Sequence, residues 1–155
     1  MSVAVDTNVL IDLLFPGSPH QDESIQRLSA ASDSGSLIIC EIVFAELAGY
    51  FGDEGRLNAF LTRVNVFMEP SAPEALAAAG AAWLEYTRHR RSALICPQCG
   101  SPQDVRCTNC SRELRPRQHL IADLLIGAHA LHQSDGLLTR DRGFYGTYFP
   151  DLTLV

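Results

Sequence analysis

The chain predicts an α/β fold built on a parallel sheet, and three observations carry that expectation. Short apolar runs alternate with longer segments of helical spacing, the pattern of strands joined by crossover helices. The 155 residues, 46% hydrophobic and 19% charged, suit one domain with a full-sized core. Acidic residues stand at the ends of several apolar runs, where a parallel sheet gathers chemistry between its strand ends and the helices that follow.

The first strand covers residues 3–5, and a helix follows over 8–15 with Thr7 or Asn8 available as its cap. A second helix over 21–32 stops at Ser34-Gly35, and the run 37–42 is the second strand. Helical spacing of Phe44, Leu47 and Ala48 places a helix at 43–51, and a further short helix covers 54–64. Residues 66–68 are the third strand. Pro73 suits a first helical turn and opens an alanine-rich helix over 73–90, which packs closely through Ala75, Ala78, Ala79 and Ala82. After an interruption at 92–115, Pro116 precedes a helix over 118–132, and the runs 136–139 and 152–155 supply the last two strands. There is no internal repeat beyond two cysteine pairs and no low-complexity stretch.

Those pairs, Cys96-Pro97-Gln98-Cys99 and Cys107-Thr108-Asn109-Cys110, lie seven residues apart inside the interruption. Four thiolates in two close pairs can surround one tetrahedral Zn²⁺, each two-residue turn letting both sulfurs face the metal. Gly100 permits the tight turn after the first pair, and the short spacer predicts a minimal hairpin turning at Ser101-Pro102-Gln103-Asp104. Two disulfides and a redox pair are the alternatives. Nothing in the chain suggests an oxidising compartment, and redox motifs of this kind rarely come in twos. With all four positions filled by protein, such a zinc is structural. The fifth cysteine, Cys40, ends the run Leu37-Ile38-Ile39 and is expected as a buried thiol in a strand.

No apolar stretch reaches a spanning length, and the chain opens into Val3-Ala4-Val5-Asp6 without a charged leader, which predicts a cytoplasmic protein with no membrane partner. The net charge of −6 hides a strong polarity: between Arg88 and Arg117, seven arginines face two acids, a balance of +5 that leaves −11 elsewhere. All twelve basic residues are arginine, suited to bidentate phosphate contact. Coding bias accounts for the missing lysine but not for the clustering.

Asp6 follows the first strand, Glu46 follows the second, Asp123 lies on the helix after the cysteine segment, and Asp141 ends the fourth strand. Any one of them has the simpler explanation of a capping or solvated carboxylate. Asp123 resists it, because Leu120-Ile121-Ala122 and Leu124-Leu125-Ile126 surround the charge, and a buried charge demands a partner.

Four motifs in order, Val5-Asp6-Thr7-Asn8-Val9-Leu10-Ile11-Asp12, Phe44-Ala45-Glu46-Leu47, Ile121-Ala122-Asp123-Leu124-Leu125-Ile126 and Leu138-Thr139-Arg140-Asp141-Arg142-Gly143-Phe144, resemble the PIN-domain nucleases, and among them the VapC-type ribonuclease toxins. Each motif is weak alone; together they span nearly the whole chain. The resemblance implies a three-layer α/β/α fold around a five-stranded parallel sheet; the length gives one domain over 1–155, and the cysteine pairs give a zinc-binding insertion within it at 92–115. The resemblance further implies that Asp6, Glu46, Asp123 and Asp141 converge on Mg²⁺ or Mn²⁺ and hydrolyse RNA phosphodiester bonds. Thr7, Asn8 and Thr139 are then candidates to orient ligands and waters, while Asp12 is expected to point away. A cognate antitoxin and a homodimer are the partners implied. The basic segment offers Arg112, Arg115 and Arg117 for RNA, and His119 precedes Asp123 by one helical turn; His89, His129 and His132 have no ligand spacing with the cysteines.

The zinc insert departs from the usual toxin pattern. Ribosome-maturation PIN nucleases carry zinc modules, but appended after the catalytic domain. An RNA-processing or quality-control nuclease, and a catalytically inactive binding module that uses the basic hairpin, therefore stand beside the toxin as alternatives.

Overall fold

A computed structural model describes residues 1–89, 94–95, 101–112 and 121–155. The first half runs β1 (Ser2–Val5), α1 (Thr7–Leu14), α2 (Gln21–Ser34), β2 (Ser36–Ile39), α3 (Glu41–Phe51), α4 (Glu54–Arg63) and β3 (Val66–Met68). The second half runs α5 (Pro73–His89), β4 (Leu94–Ile95), β5 (Pro102–Gln103), α6 (Ile121–Gln133), β6 (Gly136–Leu138) and α7 (Arg142–Tyr148).

The parallel sheet has the order β3-β2-β1-β6, with Val3 opposite both Leu37 and Gly136, and Leu37 opposite Val66. Strands β1, β2 and β6 are apolar at nearly every position because both faces are covered; Val3, Leu37, Ile39, Leu137 and Leu138 are fully buried. β3 is one edge of the sheet, and there Phe67 and Met68 stay exposed. The connections β1 to β2 and β2 to β3 step one way and the return to β6 crosses back, so right-handed crossovers put α1 to α4 and α5 to α6 on opposite faces. The reversal falls at β1. A crevice opens at the carboxyl ends of β1 and β6, the usual place for a site in an open α/β sheet.

The sheet has four strands and not the expected five. Residues 152–155 form one parallel bridge, Leu137 with Leu154, fixed by Leu137 N–H to Thr153 O at 2.8 Å and Val155 N–H to Leu137 O at 2.9 Å. Gly136 permits this approach, since a Cβ there would lie 3.0 Å from the Thr153 carbonyl oxygen. Other boundaries also move. β2 ends at Ile39, and α3 begins at Glu41, whose charge suits the first turn of a helix. Cys40 is buried as expected, but as the cap of α3 and not inside a strand. α1 is capped by Asp6 and starts at Thr7. Asp141 does not end a strand: β6 stops at Leu138, and Asp141 caps α7, its carboxylate accepting from Phe144 N–H at 3.1 Å. α7 has no counterpart among the predicted elements.

In the segment after α5, β4 and β5 pair antiparallel, Leu94 with Gln103 and Ile95 with Pro102. The turn expected at 101–104 is therefore partly strand. Cys96 and Cys99 lie outside the described residues, as do Arg115, Arg117 and His119. Among the described residues no helix is long and apolar enough to cross a membrane.

Candidate active site: a carboxylate cluster at the strand ends

Asp6 leaves β1 in extended conformation and its backbone N–H bonds Leu138 O of β6 at 3.0 Å, which places its side chain at the crevice between the two strands. The residue is buried. Its Oδ2 accepts from Asn8 Nδ2 at 2.6 Å and from the Thr139 hydroxyl at 2.6 Å. Thr139 Oγ1 in turn accepts from Asn8 Nδ2 at 3.2 Å and from Asp141 N–H at 3.0 Å, while Asn8 Oδ1 accepts from Arg140 N–H at 3.2 Å. One donor network thus ties the start of α1 to the loop between β6 and α7. Burial pushes the Asp6 carboxyl above the usual range, opposed first by the Thr139 bond.

Glu46 enters from α3, where the Thr7 hydroxyl donates to its Oε2 at 2.5 Å. Asp123 lies in the first turn of α6, half-buried, and no donor or cation among the described residues is bonded to it. Its described neighbours carry the same charge. Burial first, then Asp6, Glu46 and Asp141, push its carboxyl up to about 6. Asp6, Glu46, Asp123 and Asp141 therefore share one electrostatic neighbourhood, together with Thr7, Asn8 and Thr139.

All the charged donors are carboxylate oxygens, the donor type a hard dication prefers. Asp123, lifted to about 6 by burial first and by its acidic neighbours after it, is the group such a charge would relieve. Among the described residues no three His, Cys, Asp or Glu side chains are gathered tightly enough to hold one ion. The carboxylates repel one another, and Asp6, Glu46 and Asp141 are each drawn to a protein donor.

Asp12 points away from the cluster as expected, but it is buried and anchors the site from behind. It pairs with Arg140 Nε at 2.9 Å and accepts from Ser24 Oγ at 2.7 Å and Ser18 Oγ at 3.3 Å. Arg27 of α2 donates to Thr139 O at 2.9 Å and also to Val155 O. Two arginines thus hold the loop that carries Thr139 and Asp141. Neither stood out in the sequence, although Arg140 sits inside a quoted motif. Tyr145 was also missed, although it lies one turn beyond Asp141 on α7. It is 1% exposed, with its hydroxyl against Asp6, and burial followed by the charges of Asp6 and Asp123 pushes that phenol far above its usual range. His129 belongs to a separate network through Ser71 to Glu41.

Cys107 and Cys110 carry free thiols. Their loop closes through Ser111 N–H to Cys107 O and Cys107 N–H to Arg112 O, both 2.8 Å, with Ser111 at φ +56°. Backbone N–H groups of Cys110 and Asn109 pull the Cys107 thiol below its usual range. Arg112 is exposed beside them.

The family model described as the PIN domain matches residues 3–89, more than half of the chain. The chain belongs to the PIN-domain family. The matched part carries Asp6 and Glu46; Asp123 and Asp141 join them through the fold. This PIN domain is similar over its whole length to VapBC2 from Rickettsia felis bound to a promoter DNA fragment, with 18% identity, 98% of that chain covered and a TM-score of 0.62. It is similar to VapBC-1 of nontypeable Haemophilus influenzae at 20% identity, covering 100% of this chain and 97% of that one, with a TM-score of 0.60. Mycobacterium tuberculosis VapC20, a sarcin-ricin loop cleaving toxin, has 16% identity, 94% coverage of each chain and a TM-score of 0.55. At these identities the likeness is one of fold. No curated protein matches the chain.

Proposed function

We propose that this PIN domain is a metal-dependent endoribonuclease, acting as the toxin of a toxin–antitoxin pair. The observation that carries the reading is the carboxylate cluster at the carboxyl ends of β1 and β6, in which Asp123 stands beside three other acids with no donor or cation bonded to it among the described residues. A half-buried group of like charges is costly to keep unless it does something, and a divalent cation is the simplest partner for it.

Asp6 and Asp123 would hold Mg²⁺ or Mn²⁺ most directly, with Glu46 and Asp141 completing the site themselves or through water. Bound there, the cation supplies a water of lowered pKa and stabilises charge on the scissile phosphate. Thr139 and Asn8 fix the Asp6 carboxylate, and Thr7 fixes Glu46, so each acid meets its ligand in a set orientation. The Asp12–Arg140 pair holds the loop from which Asp141 projects.

The insertion at 92–115 is read as a structural Zn²⁺ hairpin within a single domain over 1–155, with Cys96, Cys99, Cys107 and Cys110 as ligands. Support comes from the described half. The Cys107–Cys110 loop turns its amides onto a sulfur, the arrangement that stabilises a thiolate, and β4 with β5 brackets the first pair. Arg112, Arg115, Arg117 and His119 are read as RNA contacts, and a cytoplasmic place of action goes with an RNA substrate. An antitoxin partner is supported by fold neighbours that are VapBC and FitAB assemblies; a homodimer rests on the family resemblance.

The cysteine insert favours a second reading, an RNA-processing nuclease that selects its substrate with the hairpin. A small adjoining reading frame encoding an antitoxin separates the two. The direct test is cleavage of a mixed RNA pool with Mg²⁺ or Mn²⁺, with cut sites mapped. Cleavage should vanish in chelator and in Asp6→Asn. Cleavage that persists in either removes the metal-dependent assignment, and a wild type that binds RNA without cutting it leaves the inactive binding module.

A further inference from the structure

The Tyr145 hydroxyl is buried and, among the described residues, meets no partner at standard hydrogen-bond distance and angle; the acceptor it lies against is the Asp6 carboxylate. A buried hydroxyl without a partner costs free energy, and phenylalanine would fill the same volume without that cost. Packing therefore does not account for the oxygen. It faces the Asp6 carboxylate.

Two features of the chain bring the ring to this place. Asp141 caps α7, and Tyr145 follows one turn later, its N–H reaching Asp141 O at 3.4 Å. On α6, Gly127 lies one turn beyond Asp123. A Cβ at Gly127 would stand 3.0 Å from Tyr145 Cδ1 and 2.5 Å from the Phe149 ring. The missing side chain at Gly127 is thus the notch that admits the Tyr145 ring to the acidic cluster.

We infer that Tyr145 is a positioning residue of the carboxylate cluster: its hydroxyl donates to Asp6 and holds that carboxylate in the orientation a divalent cation requires. Asn8 and Thr139 both bond Oδ2 of Asp6, and the phenol adds a third donor from a different helix. A tyrosine hydroxyl, protonated at neutral pH, meets an ionised carboxylate only as a donor. The inference rests on the metal-dependent reading above.

The test is Mn²⁺ titration, followed by electron paramagnetic resonance, of metal-stripped wild type, Asp6→Asn, Tyr145→Phe and Gly127→Ala, with thermal melting in EDTA alongside. Wild type should bind Mn²⁺ and Asp6→Asn should not. Tyr145→Phe should melt in EDTA at or above the wild-type temperature yet bind Mn²⁺ roughly 10-fold more weakly, the effect expected of a lost partner to a metal ligand. Gly127→Ala keeps the hydroxyl but displaces the ring, and should weaken Mn²⁺ in the same direction; if it does not fold, Tyr145→Phe decides. Wild-type Mn²⁺ affinity in Tyr145→Phe overturns the inference and leaves the metal site standing, and a lowered melting temperature beside that affinity would make the hydroxyl a structural bond. A wild type that binds no Mn²⁺ removes both.

Discussion

Replacing Asp123 with asparagine should stabilise the metal-free protein, and the effect should grow with pH. The Asp123 carboxyl is raised from 3.8 to about 6, by burial first and by Asp6, Glu46 and Asp141 after it. The folded state therefore holds its proton more tightly than the unfolded chain. That preference contributes stability fully below pH 4 and loses it as pH rises through about 6, so the full cost of the charge is present at pH 7.5. Two pKa units correspond to about 3 kcal/mol at most. Solvent reaches the half-buried carboxylate and screens it, which brings the figure to about 1–2 kcal/mol. For a chain of this size that is a rise in melting temperature of roughly 3–6 °C in Asp123→Asn. The assay is thermal unfolding of both proteins in EDTA at pH 4, 5, 6 and 7.5, repeated at pH 7.5 with Mg²⁺. The curves should nearly converge at pH 4, separate between pH 4 and 6 and stay apart above, with the variant higher; Mg²⁺ should narrow or invert the gap by stabilising wild type alone. A variant equal to or below wild type at pH 7.5 in EDTA, or a gap independent of pH, would show that the acids do not repel one another as described.

Asp12→Ala should lower stability by about 2 kcal/mol, since it strips the ion pair from a partly buried Arg140 and leaves Ser24 without its acceptor; the melting temperature should fall by roughly 4–8 °C, and cleavage should fall with it as the Thr139–Asp141 loop loosens. Elemental analysis of gently purified protein should find about one zinc per chain. Cys96→Ser or Cys107→Ser should lose it while far-ultraviolet circular dichroism of the α/β core persists, and an iron–sulfur spectrum or cysteine pairing by mass spectrometry would count against the zinc hairpin. Changing Arg112, Arg115 and Arg117 together to alanine should weaken RNA binding and flatten its dependence on salt, because fewer counterions are released. Unaltered RNA affinity with a changed sedimentation coefficient would assign those arginines to assembly instead.

The parallel sheet was legible because strands covered on both faces have little choice but to be apolar throughout, as Val3-Ala4-Val5 and Leu37-Ile38-Ile39 are. The same reasoning failed at the ends. The expected strand ran on to Ile42, yet the carbonyl of Cys40 accepts from Phe44 N–H at 3.1 Å and the helix has begun at Glu41. Residues 152–155 have strand composition and sit beside β6, but they pair with it through the one bridge Leu137–Leu154. α7 escaped notice because it is seven residues long, contains two glycines and buries only Tyr145.

The site divides along a similar line. Asp6, Asp123 and Asp141 lie at or near the start of a helix, and Glu46 lies midway along α3; the four could be picked out through the motifs that carry them, in order along the chain. What holds them was not visible, because it comes from partners distant in sequence. Arg140 is meaningful only once Asp12 and Ser24 are known to be buried behind it, and Arg27 only once the Thr139 carbonyl is seen to face α2. Local pattern reports which faces are apolar; it does not report which polar group inside a fold lacks water and must find a donor. That is why Asp12 read as peripheral. It is also why Tyr145, an aromatic in a run of aromatics, read as packing when its ring lies against Gly127 and its oxygen against Asp6.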